Sequence, residues 1–466
     1  MSSPTGVASS SKPRLVRRLT LLDTLMLLVG GVIGSAIFLV PHDIAHQLRS
    51  PLPFLGVWLT GGVLTLFACF AFAEMGAMFP DAGGQYVYLR HAFGDVVGFL
   101  FGWMYFTVEG SGSIAALAVA FASYFGVLVP AVSTGHVVFA LGGWSITRAH
   151  LVGLAVIALL TWINILGVKR AAIVQNIAGW LKYVAMALFV LLGFAIGKGH
   201  WSHFTAAAPA AATAPVWCGV SAFGVALISV FWAYDGWVYV GQAAGEVKNP
   251  ARDLPRALIL GIVLVTVIYV AMNFVYLYGL SIPQIAAGEE TTAHEAATAL
   301  LSPRIGLWIS ALVAVSCFGA LSADILACAR VSYAMADDGL FFRRMAVVHP
   351  RWHTPVFSLV AQAVWAGALT LSGRYDQIIT YIMSMGVISY GLAVAGLFVL
   401  RRKFPDFPRP YRCAGYPWLP GIYVVAAALW AGNTLWQQPR ESLAGAAIVL
   451  LGLPGYFFWR RSRAQR

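Results

Sequence analysis

Two apolar segments of this 466-residue chain are each interrupted at mid-length, and the interruptions fall at corresponding places in its two halves. The first run, roughly residues 19–40, carries Gly30-Gly31-Val32-Ile33-Gly34-Ser35-Ala36 at its centre. The sixth, roughly residues 219–245, carries Trp232-Ala233-Tyr234-Asp235-Gly236. Hydrocarbon tolerates unwound backbone only where it is buried in protein or lines a cavity, because a free N–H or C=O facing lipid has no partner. A matched pair of glycine-interrupted spans therefore points to the binding site of a secondary transporter.

Composition supports a chain that lives in lipid. It is 60% hydrophobic and 10% charged, against about 45–50% and about 25% in soluble domains. Runs near the length of a membrane span start near residues 20, 52, 97, 150, 172, 219, 256, 305, 355, 377, 419 and 443, which predicts an all-α integral membrane protein with twelve transmembrane helices. The first eighteen residues are polar and basic, with Lys12, Arg14, Arg17 and Arg18. The apolar run after them is too long for a signal-peptide core and lacks a clear small-residue cleavage site, so it is expected to stay as the first span.

The net charge of +12 would suggest nucleic acid in a soluble protein. Here topology accounts for it, and no nucleic-acid partner is expected. With the N-terminus inside, the inner segments hold 22 Lys and Arg and the outer ones six: Arg49, Arg148, Lys198, Arg304, Arg374 and Arg440. That asymmetry fits the positive-inside rule and puts both termini of a multi-pass cell-membrane protein in the cytoplasm. Cys69, Cys218, Cys317, Cys328 and Cys413 show no metal spacing and read as small packing residues; neither metal nor cofactor is expected.

The two interruptions, at Gly34 and Gly236, lie 202 residues apart, the length of five spans with their loops. The chain thus divides into a tail (1–18), a five-helix repeat (19–197), an outer loop (198–218), a second five-helix repeat (219–400), a Pro-, Arg- and Tyr-rich inner loop (401–418), two extra helices (419–459) and a tail (460–466). Repeats with an odd number of spans must be inverted relative to each other. The segment from Ser281 to Pro303, with Glu289, Glu290, His294 and Glu295, reads as one short lid-like outer helix.

Five stretches, in order, resemble the L-type amino acid transporter group of the amino acid–polyamine–organocation superfamily. They are GGVIGSAIFLVP (30–41), AEMGAMFPDAGGQYVYLRHAFG (73–94), INILGVKRAAIVQN (163–176), FWAYDGWVYVGQAAGEVKNPARDLPRAL (231–258) and ARVSYAMADDGLFF (329–342). The resemblance implies a LeuT-type fold of two inverted five-helix repeats, with broken helices one and six, that moves amino acids by alternating access. The chain departs from the family signature at Ala36, where a glycine is usual, and the added methyl group bears on substrate size. Eukaryotic relatives often join a heavy subunit through a cysteine in the outer loop after span three. The loop from Pro130 to His150 has none, so no disulfide-linked partner is expected.

A free amino acid is a zwitterion, and a broken helix offers both kinds of partner. The half-helix after the first break exposes N–H groups at its positive end, which assigns Gly34, Ser35 and Ala36 to a carboxylate. The carbonyls of Trp232, Ala233 and Asp235, with Val32 and Ile33, are assigned to the ammonium. Close helix packing by small residues is the other reading of the glycines. Lys182 lies deep in the fifth run and either snorkels to the interface or sets its ammonium against carbonyls of the broken first span. The resemblance favours the second, since many relatives carry a lysine here in place of a sodium ion, and no sodium requirement is expected.

Asp235 either meets the substrate ammonium or caps the second half-helix, the cap being preferred. Glu109 and Asp324, also within spans, either pair with Lys182, face the cavity and tune selectivity, or serve as internal hydrogen-bonding partners. Trp232 reads as an outer gate or as packing. Glu246, Lys248, Asn249, Pro250, Asp253 and Pro255 form an ion-paired inner corner. A transporter of polyamines or organic cations is the runner-up, because Glu109, Asp235 and Asp324 would suit cations. A sensor would need a soluble signalling segment and an enzyme a nucleophile–base pair, and neither pattern is seen.

Overall fold

A computed structural model of the chain describes residues 15–141, 144–205, 216–288, 291–372, 375–437 and 439–464. The features expected at Lys12, Arg14, Glu289, Glu290, Arg374 and Arg466 lie outside these residues, as does the middle of the loop at 206–215. In chain order the helices are α1 (Leu21–Val32), α2 (Ala36–Gln47), α3 (Pro51–Met78), α4 (Gln85–Phe93), α5 (Asp95–Leu128), α6 (Arg148–Ile165) and α7 (Val168–Ala195). The second half holds α8 (Val216–Tyr234), α9 (Tyr239–Gln242), α10 (Pro250–Gly279), α11 (Ile282–Ala287), α12 (Thr292–Leu300), α13 (Pro303–Asp337), α14 (Val356–Leu371) and α15 (Tyr375–Lys403). The chain closes with α16 (Trp418–Gln437), α17 (Pro439–Leu450) and α18 (Gly452–Ala464).

Ten helices among the described residues are long and apolar enough to cross a membrane, and the bent pair α1–α2 makes eleven. The shorter apolar α14, at 16 residues, occupies the ninth place in the sequence count. Its length of about 24 Å falls just short of the hydrocarbon core. The lid segment is two short helices, α11 and α12, rather than the one expected: α11 opens on a capping box at Ser281 and α12 on a Thr291 cap that accepts from His294 N–H. α11 packs on α2, where His42 Nδ1 lies 3.0 Å from Ile285 O. An antiparallel hairpin, Val137–Leu141 with Trp144–Thr147, interrupts the all-helical pattern between α5 and α6. Its run of β-branched and aromatic residues favours a pleated strand over a helix.

α13 is the central post: 83% of its apolar stretch is buried, against 17% for each of the two C-terminal stretches, which therefore sit at the rim. α1, α5 and α7 pack on α13, and α3 packs along α10.

Charged side chains tie the helix ends together. Thr20 and Asp23 form a capping box at the start of α1, and Lys169 and Asn176 both donate to the Asp23 carboxylate, at 2.6 and 2.9 Å. Glu74, wholly buried at the end of α3, receives Arg401 through two nitrogens at 3.0 and 2.5 Å and the Cys413 N–H at 2.6 Å. The Pro-rich loop after α15 is thus anchored rather than trailing. At the corner after α9, Glu246 pairs with Arg330 of α13 through Nε at 2.7 Å and Nη2 at 3.1 Å, both side chains fully buried. The Glu246 carbonyl also accepts the N–H groups of Arg18 and Leu19, at 2.8 and 2.9 Å, so the chain entering α1 is stitched to the chain leaving α9.

Removing one partner of a buried ion pair strands the other charge, at a cost of about 3–5 kcal/mol. Arg330→Ala or Glu246→Ala is expected to lower the melting temperature of the detergent-solubilised protein markedly. The Asp95→Ala change, at a partly exposed ion pair whose Arg90 keeps its second partner Asp338, is expected to lower it far less.

Candidate functional site

The first interruption is a true break. α1 ends at Val32, α2 starts at Ala36, and their axes meet at 40°. Ile33 N–H still reaches Val29 O at 3.0 Å, but Gly34 N–H turns back to Val32 O at 2.9 Å, and the helical ladder stops. Buried carbonyls without a ladder need other donors. Three buried side chains supply them. Lys182 of α7 donates to Gly30 O at 3.0 Å and to Ile33 O. Ser316 of α13 has its hydroxyl 3.0 Å from Ile33 O and 2.9 Å from Gly34 O. Tyr269 of α10 reaches Val32 O at 3.1 Å.

The second break lies against the first. α8 ends at Tyr234, residues 235–238 form a turn, and a single helical turn, α9, follows. Gly236 sits at φ +99°, and a Cβ there would stand 2.9 Å from the Gly31 backbone. Only glycine serves where the backbone is both left-handed and in contact with another backbone. The Tyr269 hydroxyl lies 2.8 Å from Ala233 O as well as near Val32 O, so one phenol spans both breaks.

Val32, Ile33, Gly34, Ser35, Ala36 and Ala233 are buried together at this junction, with Trp232 and Asp235 partly exposed beside them. Ser35 stands at the N-cap of α2 without a side-chain cap, so the first amides of α2 have no preceding helical carbonyl. Ile33 O already accepts from Lys182, and the Ser316 hydroxyl is shared between it and Gly34 O. Val32 O likewise accepts from Gly34 N–H at 2.9 Å and lies 3.1 Å from the Tyr269 hydroxyl, so neither carbonyl is free for a substrate ammonium, and both assignments are withdrawn.

Two further sequence readings change. Asp235 does not cap α9: the N-cap is Val238, three residues on, beyond the reach of N-cap geometry. Its carboxylate instead accepts from the Tyr390 hydroxyl of α15 at 2.5 Å and from Gly236 N–H. Nor do Glu109 and Asp324 pair with Lys182, whose ammonium is spent on carbonyls. Glu109, at the end of a π-helical turn over Tyr105–Glu109, has Oε1 3.2 Å from the same Tyr390 hydroxyl. Asp324 takes the Cys328 thiol at 2.8 Å and the hydroxyls of Ser113 and Tyr239. Glu109 and Asp235 share the Tyr390 hydroxyl, while Lys182 is held at the first break. Tyr269, Ser316 and Tyr390, which sequence reasoning passed over, do much of the bridging. Their one signal was a hydroxyl placed deep within an apolar run.

A profile of the amino acid permease family matches residues 19–450. The chain belongs to that family. It is 31% identical to the serine/threonine exchanger SteT of Bacillus subtilis (strain 168), over 97% of this chain and 98% of the relative. It is 30% identical to the large neutral amino acids transporter small subunit 2 of Mus musculus, over 98% and 85%, and 29% identical to the mouse Asc-type amino acid transporter 1, over 97% and 83%. This permease is accordingly a multi-pass membrane protein of the amino acid–polyamine–organocation superfamily.

Gly236→Ala in the permease combines a disfavoured φ with a 2.9 Å approach to Gly31. It is expected to cut substrate binding by about tenfold or more, measured by labelled-ligand binding to purified protein, while Gly56→Ala, where a Cβ meets nothing within 4 Å, changes it little.

Proposed function

We propose that the permease is a secondary active transporter that moves amino acids across the cell membrane by alternating access, as an exchanger or uniporter that needs no sodium. The substrate carboxylate rests at the start of α2 on the amides of Ser35 and Ala36, beside Gly34, whose own N–H is held on Val32 O. Its ammonium rests on the carbonyls of Trp232, Ala233 and Asp235. Trp232 closes the site from outside. The names of the relatives, exchangers and amino acid transporters, support the substrate class, and the paired breaks support the binding mode.

One observation carries the sodium-independent reading: the Lys182 ammonium lies on Gly30 O and Ile33 O, at the unwound backbone of the first span. An ammonium held on two carbonyls supplies the charge and the coordination that a bound sodium ion would supply. The same lysine is the candidate for proton linkage, since releasing its proton would free both carbonyls.

The wider arrangement belongs to the same reading. Twelve spans form a LeuT-type pair of inverted five-helix repeats, 19–197 and 219–400, with the helices of 419–459 as an appendix and the segments 1–18, 401–418 and 460–466 in the cytoplasm. The permease works without a disulfide-linked heavy subunit, because its outer loop from Pro130 to His150 offers no cysteine.

The test uses purified permease in liposomes loaded with unlabelled amino acids, with uptake of labelled ones followed. Uptake is expected to be unchanged when sodium is replaced by choline, and a strict sodium requirement would overturn the reading. Dependence on internal substrate separates exchange from uniport, and a response to a pH gradient reports proton linkage. Lys182→Ala removes a charge-assisted hydrogen-bond donor worth about 1.5–3 kcal/mol and is expected to slow uptake at least tenfold.

A further inference from the structure

Beside the second break is a small cavity between α3, α5, α8, α15 and α16. Glu109, Asp235 and Tyr390 form its polar wall, and Phe231, Trp237 and Trp430 much of the rest. We propose that this cavity seats the primary ammonium of a cationic side chain, so that the permease carries amino acids bearing a side-chain amine. The inference rests on the transport reading above and names its substrate class.

The polar wall is short of positive charge. Tyr390 has one hydroxyl proton, and it lies between two carboxylates, 2.5 Å from Asp235 Oδ1 and 3.2 Å from Glu109 Oε1. Glu109 is only 3% exposed, and its second oxygen, Oε2, has no hydrogen-bond partner among the described residues. The charges acting on Glu109 are those of Asp235 and Asp324, both of its own sign. A cluster of buried carboxyl groups in a membrane protein is answered either by a cation or by a proton. Lys182, the buried lysine of this region, is committed to Gly30 and Ile33.

The apolar walls narrow the cation to an organic one. The rings of Phe231 and Trp430 stack at 4.5 Å, and Trp237 stands 5.5 Å from the Tyr390 ring. Aromatic faces attract an ammonium through their quadrupoles, most strongly where water is excluded. Size then selects among ammonium groups. The cavity has room for about one water molecule, which admits an –NH3+ head and excludes a trimethylammonium. Its three donors suit Glu109 Oε2 and Asp235. Asp235 belongs both to this wall and to the turn at the second break, so a ligand held at the break lies next to the cavity.

The test compares labelled lysine, serine and 1,4-diaminobutane as substrates of the full-length permease in liposomes, for the native protein and for E109Q and D235N. Lysine uptake is expected, and E109Q is expected to lower the lysine-to-serine uptake ratio at least tenfold, the loss of one charge-assisted contact. A ratio is insensitive to how much variant folds. Lysine is also expected to raise the melting temperature of the native protein in detergent. The proposal falls if lysine neither enters, competes nor stabilises while serine exchanges normally, an outcome that leaves the transport reading intact. It falls equally if E109Q alters only the response to a pH gradient, since the cluster would then take a proton. Uptake of the diamine without either amino acid keeps the ammonium site and overturns the amino acid reading.

Discussion

Backbone carbonyls released inside an apolar protein have to be answered by donors, and in this permease that demand organises the centre of the molecule. Breaking the first span frees the carbonyls of Gly30, Val32, Ile33 and Gly34 from the helical ladder. Side chains from three helices answer these four: Lys182 from α7, Ser316 from α13 and Tyr269 from α10. The donors stand on three long helices, so the break is held by the surrounding scaffold rather than by its own strand of chain. An unwound segment with unanswered carbonyls would cost several kcal/mol per group in lipid.

The same logic of compensation runs along the helix ends. Glu74, Asp23 and Glu246 are each buried or nearly so, and each is met by a cation from a distant part of the chain: Arg401, Lys169 and Arg330. The first of these ties the loop after α15 to α3, and the other two each brace helix ends within one half of the chain. The acids around Tyr390 stand apart from this pattern, since their electrostatic neighbours are other acids.

Much of the architecture could be read from residues alone. Apolar runs gave the long helices, because span length is set by the thickness of hydrocarbon. Gly30, Gly31, Gly34 and Gly236 pointed to the breaks, and of these Gly236 has the left-handed backbone and the close approach to Gly31 that only glycine permits. The site was harder. Lys182 could be singled out as a deep cation, yet the hydroxyls beside it could not, since serine and tyrosine are common in membrane helices and sit there without any spacing rule. The preferred cap for Asp235 failed because the number of residues in the turn after it is fixed by tertiary contact with Gly31. The lid split into two helices, and a hairpin appeared between α5 and α6, through local capping and β-propensity that an apolar-run count does not register.

The Tyr269 hydroxyl, within 3.1 Å of Val32 O and 2.8 Å of Ala233 O, fastens the two interrupted segments to a common peg. Neither half-helix can swing without stretching a contact that the other shares. The two breaks are thereby geared to each other, and a tilt begun at one is handed to the other through a single aromatic side chain.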